Sequence, residues 1–347
     1  MSNIPTTTRQ YYLPEVSSFQ KLKIKDAEVP KPKANEVLVK VHAVSLQYRD
    51  LAISTGQYPA KLPDNLVPCS DMAGEIISLG VDVKGWKEGD RVCANFSTDH
   101  IYGDTTADIQ NTSLGGQAHG VLTEYRTFPA HSLVNIPEHL SYEEASTLPC
   151  AALTAYNALH GPVPIKAGDY ILVLGTGGVS ICALQIAIAA GAIVIATSSS
   201  DEKLKIASKL GANYVINYKK TPEWHEEVMK ITKGVGVDHV IEVGGQGTLP
   251  KSINSVRTGG YIHIIGFVAG PSADANVVFP LIRKACTLRG ILIGSVAQFK
   301  DMLRLIEANP EVTRPVVDKV FPFDQAIDAY AYLQSQAHVG KVVIKVA

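Results

Sequence analysis

Nothing in this 347-residue chain supplies a cysteine framework. Its five cysteines, Cys69, Cys93, Cys150, Cys182 and Cys286, are odd in number, widely scattered and never spaced Cys-x-x-Cys. That excludes a set of stapling disulfides and leaves packed, weakly polar thiols as the reading of each. An excess of charge of one sign is lacking too. A formal net charge of -1 with no dense Lys/Arg run gives no long-range field to draw in nucleic acid or anionic lipid. No apolar run reaches the length of a membrane span, and Met1 to Gln10 is polar and threonine-rich, without the apolar centre of a secretory leader. The expectation is a cytoplasmic protein with no membrane or nucleic-acid partner.

What the chain has is apolar content, 46% against 19% charged, enough to bury a core in two domains or one large one. The organising stretch is Val173, Leu174, Gly175, Thr176, Gly177, Gly178, Val179 and Ser180. Tyr170 to Leu174 reads as a buried strand, and Val179 to Ala190 as an alanine-rich helix stopped by Gly191. Strand, glycine turn and helix in that order suit a dinucleotide pyrophosphate, because glycine lets the backbone approach phosphate and the first helical N–H groups face the anion. Gly175, Thr176, Gly177, Gly178 and Val179 are the candidate contacts. Ser180 stands where the fingerprint would have a third glycine or alanine, so the helix–strand packing must accommodate a hydroxyl.

The choice of dinucleotide is read at the end of the second strand, where an NAD site places a carboxylate for the ribose hydroxyls. Here the residues are Thr197, Ser198, Ser199 and Ser200. Hydroxyls donate to a 2′-phosphate that a carboxylate would repel. Ser199 with Glu202 three residues on has the form of a capping box, which assigns Asp201 and Glu202 to a helix start. With Lys203 adding positive charge, NADP(H) is favoured over NAD(H), held by Ser198, Ser199, Ser200 and Lys203.

Residues 11 to about 150 read as strands and turns. Val37, Val39 and Val41 alternate with Leu38, Lys40 and His42, and Asp71 to Leu79, Arg91 to Asn95 and Val121 to Thr127 follow as further strands. Ser97 to His119, rich in Thr, Asp, Ser, Gly and Asn, reads as a long surface loop. From about Thr154 short apolar strands alternate with helical patterns. The strands are Tyr170 to Leu174, Ile193 to Ala196, Tyr214 to Ile216, His239 to Val243, Tyr261 to Ile265 and Thr287 to Ile293, a doubly wound parallel sheet. The remainder, with helices around Phe299 to Ala308 and Asp324 to Leu333 and a closing strand Lys341 to Val346, completes the first domain.

The chain resembles the medium-chain dehydrogenase/reductase superfamily over nearly its whole length. The stretches that carry this are Gly89 to Val92; Leu148, Pro149 and Cys150 with Thr154 and Ala155; the glycine turn; Gly259 and Gly260 before Ile264 to Gly266; and Gly340 to Val343. The resemblance implies an α/β protein in which a Rossmann domain, 155–293, is inserted in a mostly β GroES-like catalytic domain, 1–154 plus 294–347. It also implies cofactor contacts at Tyr218, Gly244, Gly266 and Lys341, and a homodimer paired through Thr287 to Ile293. A zinc alcohol dehydrogenase of this superfamily would have cysteine at Gln47, histidine and glutamate at Ser70 and Asp71, and cysteine at Cys150. Only Cys150 is present, and Ser97 to His119 contains no cysteine where a structural zinc lobe would sit. Neither zinc is expected. The chain is instead similar to the zinc-free quinone oxidoreductase branch, with Gln47-Tyr48-Arg49-Asp50 in place of Asn-x-x-Asp, a later Tyr58, and Val296 where relatives often have arginine.

Hydride transfer asks the protein for alignment, a dry site and stabilisation of developing negative oxygen. The candidates are Tyr58, Gln47, Ser70 and Thr154. An alkoxide is strongly basic, whereas an enolate or hydroquinone anion is delocalised and is managed by hydrogen bonds. The sequence therefore favours NADPH-dependent reduction of an enone or quinone. Reduction of aldehydes or ketones, and an NADPH-binding sensor without significant turnover, are the alternatives.

Overall fold

Glu36–Ser45 is a ten-residue strand whose residues are mostly buried, and a sheet is built out from it on both sides. The computed structural model describes residues 4–269 and 277–347. It divides into two compact units: Met1–Leu153 with Gly294–Glu307 and Arg314–Ala347, and Thr154–Ile293 with Ala308–Thr313.

In the first unit Glu36–Ser45 pairs antiparallel with Asp71–Leu79, with Lys341–Lys345 and with Tyr125–Pro129. Arg91–Ala94 and Leu133–Asn135 extend the seven-stranded sheet on one side and Val317–Pro322 on the other. The core against this sheet holds Val37, Val39, Val41, Phe128 and Phe321 from its strands and Tyr330 from the helix Ala326–Gln334. Val121 to Glu124, expected as strand, lies outside the regular strand, which begins at Tyr125. The backbone of Val121 and Leu122 turns instead to the carbonyl of Pro68. Ser97 to His119 is also more ordered than a connecting loop. Ser97 Oγ and Ser113 Oγ lie 2.9 Å apart, Leu114 is buried, and Ala107–Gln110 forms a helical turn capped by Thr106.

The second unit is a six-stranded parallel sheet in the order Tyr214–Asn217, Ile193–Ser198, Tyr170–Leu174, Val237–Glu242, Val256–Ile264, Thr287–Gly290. The sequence order reverses between Tyr170–Leu174 and Val237–Glu242, and in such sheets ligands bind beyond the carboxyl ends of the strands at that switch. Ile171 to Leu174 are all buried, as a strand covered on both faces must be. Gly191, at φ +79°, and Gly211, at φ +107°, stop the two helices that follow the first two strands. Both occupy the left-handed region that residues with a Cβ avoid.

Candidate active site

Two residues beyond the central strand, Gln47 opens the helix Tyr48–Ser54. Its backbone N–H donates to Asp50 Oδ2 at 2.7 Å, so that Asp50 closes the helix start on itself. Asp71, the first residue of the neighbouring strand, has no exposed surface and is the hub of the cluster. Its Oδ2 accepts from the Gln47 amide at 2.6 Å and from the Cys150 N–H at 3.0 Å, and its Oδ1 accepts from Ser70 Oγ at 2.6 Å. Burial pushes its carboxyl up to about 7 against the pull of Lys341 and the Ser70 hydroxyl. Burial likewise raises Asp50 to about 6, opposed by the Gln47 N–H and then by Arg49. The Cys150 thiol is driven well above its ordinary range by burial and by Asp71.

These residues do not fit a zinc ion. Zinc would meet an amide at Gln47, a hydroxyl at Ser70 and a single thiol at Cys150, whereas it takes thiolate, imidazole and carboxylate. Among the described residues no three His, Cys, Asp or Glu side chains are grouped to hold a metal.

Tyr58 is partly exposed, with the Arg49 guanidinium 5.2 Å from its ring centre. Gln47, Ser70 and Tyr58 all belong to the first unit. Thr154 belongs to the second, in the helix Leu153–His160, where its Oγ1 is buried without a hydrogen-bond partner. Lys341, expected at the cofactor, is buried in the first unit, and its ammonium donates to the Leu46 carbonyl.

At the glycine turn the residues fit a dinucleotide. Gly175 takes φ +77°, and a Cβ at Gly175 or Gly177 would meet nothing within 4 Å, so both leave open space beside the backbone. Gly177 caps the helix Gly178–Ala189 without a side-chain acceptor, which keeps the first N–H groups available to an anion. Ser180 donates its hydroxyl to the Leu174 carbonyl at 2.7 Å, and this is how the turn accommodates a serine. Ser198 ends its strand, and Tyr218 N–H donates to the Ser198 carbonyl, placing the tyrosine beside the serines. The helix cap is Ser200, whose Oγ accepts from Lys203 N–H, and not Ser199 as the sequence pattern implied. Asp201 is pulled below the usual carboxylate range by Lys220 and Asn217, so its charge is answered locally.

Gly244 and Gly266 lie just past the carboxyl ends of adjacent strands. A Cβ at Gly266 would strike the Val243 backbone, and one at Gly244 the Thr248 side chain. The sequence reading missed Glu242. It is fully buried and accepts from Gly244 N–H, Gly245 N–H, Thr248 Oγ1 and Ser252 Oγ. The available signal was a carboxylate inside an apolar strand, which demands several donors.

Comparison with known proteins bears on the fold of both units. Residues 33–138 match the alcohol dehydrogenase GroES-like domain family and residues 178–308 the zinc-binding dehydrogenase family. A zinc-type alcohol dehydrogenase-like protein of Schizosaccharomyces pombe is 51% identical, over 96% of this chain and 97% of its own length. The quinone oxidoreductase of Homo sapiens is 27% identical over 92% of each chain. Among solved structures, an NAD-dependent alcohol dehydrogenase superposes with a TM-score of 0.89 at 30% identity, covering 98% of this chain and 100% of that one. A mycobacterial protein complexed with NADPH superposes at 0.81 with 26% identity and the same coverage. With a Rossmann sheet, a GroES-like sheet and these relatives along its full length, the chain belongs to the medium-chain dehydrogenase/reductase family of oxidoreductases.

Proposed function

We propose that this enzyme is an NADPH-dependent, zinc-independent reductase that transfers hydride to an activated double bond of a small enone or quinone. The observation that carries the reading is the Asp71 hub. The positions that would ligate zinc are joined into a closed hydrogen-bond cluster, Gln47–Asp71–Ser70 with the Cys150 N–H. NADPH when bound supplies the hydride; the glycine turn 175–179 would take its pyrophosphate, and Ser198, Ser199, Ser200, Lys203 and Tyr218 its 2′-phosphate.

The chain's own work is positioning and charge. Asp71 takes one N–H of the Gln47 amide and so fixes the direction of the other, which is free to donate to a developing enolate oxygen. Tyr58 is the second donor, its ring held beneath the Arg49 guanidinium. Ser70 has its proton committed to Asp71 and acts by holding that carboxylate rather than by touching substrate. This donor set suits a delocalised anion better than an alkoxide, which needs a proton or a metal at once. A homodimer paired through Thr287 to Ile293 fits an edge whose regular strand is Thr287–Gly290, flanked by exposed Phe279 and Ile282. Five free thiols suit the reducing cytoplasm.

The test is oxidation of NADPH and of NADH by metal-stripped enzyme, side by side, with a quinone, an enone and a simple aldehyde or ketone. NADPH oxidation with the quinone or enone that persists in chelator is expected. Activity confined to simple carbonyls and abolished by chelation refutes the proposal, and tight NADPH binding with no acceptor turned over points to a sensor.

A further inference from the structure

Arg49 carries a cation with no carboxylate at ion-pair distance among the described residues. Its Nη1 donates to the Leu114 carbonyl at 2.8 Å and its Nη2 reaches Gln117 Oε1 at 3.4 Å. The guanidinium lies 4.5 Å from the Phe96 ring centre and 5.2 Å from that of Tyr58, and Nε is buried with no acceptor. No ion pair to Asp or Glu accompanies these contacts among the described residues. Most partly buried arginines are paired, because the charge is costly to desolvate. The local chain is nevertheless shaped around this one. A Cβ at Gly116 would collide with Nη2, and the segment presenting Leu114 and Gln117 is pinned by the Ser97–Ser113 contact.

The position also matters. Arg49 follows Gln47 by two residues, covers Tyr58, and its charge reaches both Asp50 and Cys150. A guanidinium preorganised over two rings, one of them the donor Tyr58, with two N–H groups on each Nη, is built to take a planar anion. We propose that Arg49 anchors a carboxylate on the substrate, so that the acceptor is an enone or carbonyl compound bearing an acidic group. This rests on the active site being the one proposed above, and it adds the substrate's charge.

The experiment compares an acid with its neutral twin, 4-oxopent-2-enoate and its methyl ester, in wild type, Arg49→Met and Arg49→Lys, with NADPH. Wild type should favour the acid in kcat/KM by about 10- to 100-fold, the range for a charge-assisted pair. Arg49→Met should bring the acid-to-ester ratio near unity, and Arg49→Lys should recover part of it. A purely structural role lowers both substrates together and leaves the ratio intact, which overturns the inference. So does a wild-type ratio near one. Weaker NADPH binding in Arg49→Met at an unchanged ratio assigns the guanidinium to a cofactor phosphate and equally overturns it. If neither compound is reduced, the proposed reaction fails but the anchor is still read by calorimetry with the saturated acid, 4-oxopentanoate, against its methyl ester. Tighter binding of the acid, weakened about 10-fold in Arg49→Met, sustains it; equal binding refutes it.

Discussion

Replacing Asp71 by Asn should change how stability responds to pH more than it changes stability itself. Asp71 is fully buried and its carboxyl is raised from the ordinary 3.8 to about 7 in the folded chain. Its folded value therefore lies above its unfolded one, and between the two the native state binds more protons. Stability then falls as pH rises through that window. A rise of about three pH units corresponds to about 4 kcal/mol at most, all of it present as a penalty above pH ~7 and absent below pH ~4. Asn cannot ionise, so Asp71→Asn should show a flatter profile and stand closer to wild type, or above it, at pH 8 than at pH 5. Asp50 is raised in the same direction and contributes its own slope in both proteins, and its charge adds to the rise of Asp71. Urea unfolding at pH 5 and pH 8, followed by Trp86, reads this directly, since that indole sits in the same unit with its N–H on the Ala130 carbonyl. Asp71→Ala is the contrast. It strands the donors from Gln47, Ser70 and Cys150 and should cost about 3–6 kcal/mol at pH 8. Equal pH slopes in wild type and Asp71→Asn would refute the buried-carboxyl account.

Gly177→Ala puts a methyl group into open space at an ordinary φ of -76°, so it should cost at most about 1 kcal/mol of stability while weakening NADPH about 10-fold or more in a fluorescence titration. Unchanged affinity would remove the pyrophosphate from this turn. Ser199→Asp places a carboxylate where a 2′-phosphate is expected and should shift the NADPH-to-NADH preference towards NADH by about 10-fold or more; an unmoved preference would place the phosphate elsewhere. His263 is buried beside His239, with Nδ1 of His239 3.0 Å from its Nε2, and burial lowers it to about 3. A folded value below the unfolded 6.5 means stability is lost as pH falls from about 6.5 towards 3. His263→Phe should soften that acid limb in thermal melts, and an identical limb would clear the pair of responsibility.

Much of this was legible residue by residue. The β-rich and βαβ textures gave both sheets, because burial on one face or two writes itself as alternation or as an apolar run in the residues themselves. The glycine turn was legible because φ and phosphate clearance are local properties of glycine. The cap at Ser200 was misplaced by one residue, since Ser199 and Ser200 are equally good cap residues and only the course of the backbone between Ser198 and Asp201 chooses. The contact of the Lys341 ammonium with the Leu46 carbonyl, 295 positions away in the chain, was not legible. Arg49 and the segment Leu114–Gln117 are 65 or more positions apart, and no pattern of spacing announces that meeting.

The sequence alone thus determined the two-domain α/β architecture and the strand–glycine turn–helix order, both of which depend on residue type and near-neighbour periodicity. The family resemblance marked the positions where a zinc enzyme's ligands would stand. Only the tertiary structure decided what stands at those positions: a buried carboxyl gathering donors from positions 47, 70 and 150, and nearby in sequence a guanidinium over the rings of Tyr58 and Phe96. Hydrogen bonds and desolvation act over a few ångströms in space, and distance along the chain carries no record of them.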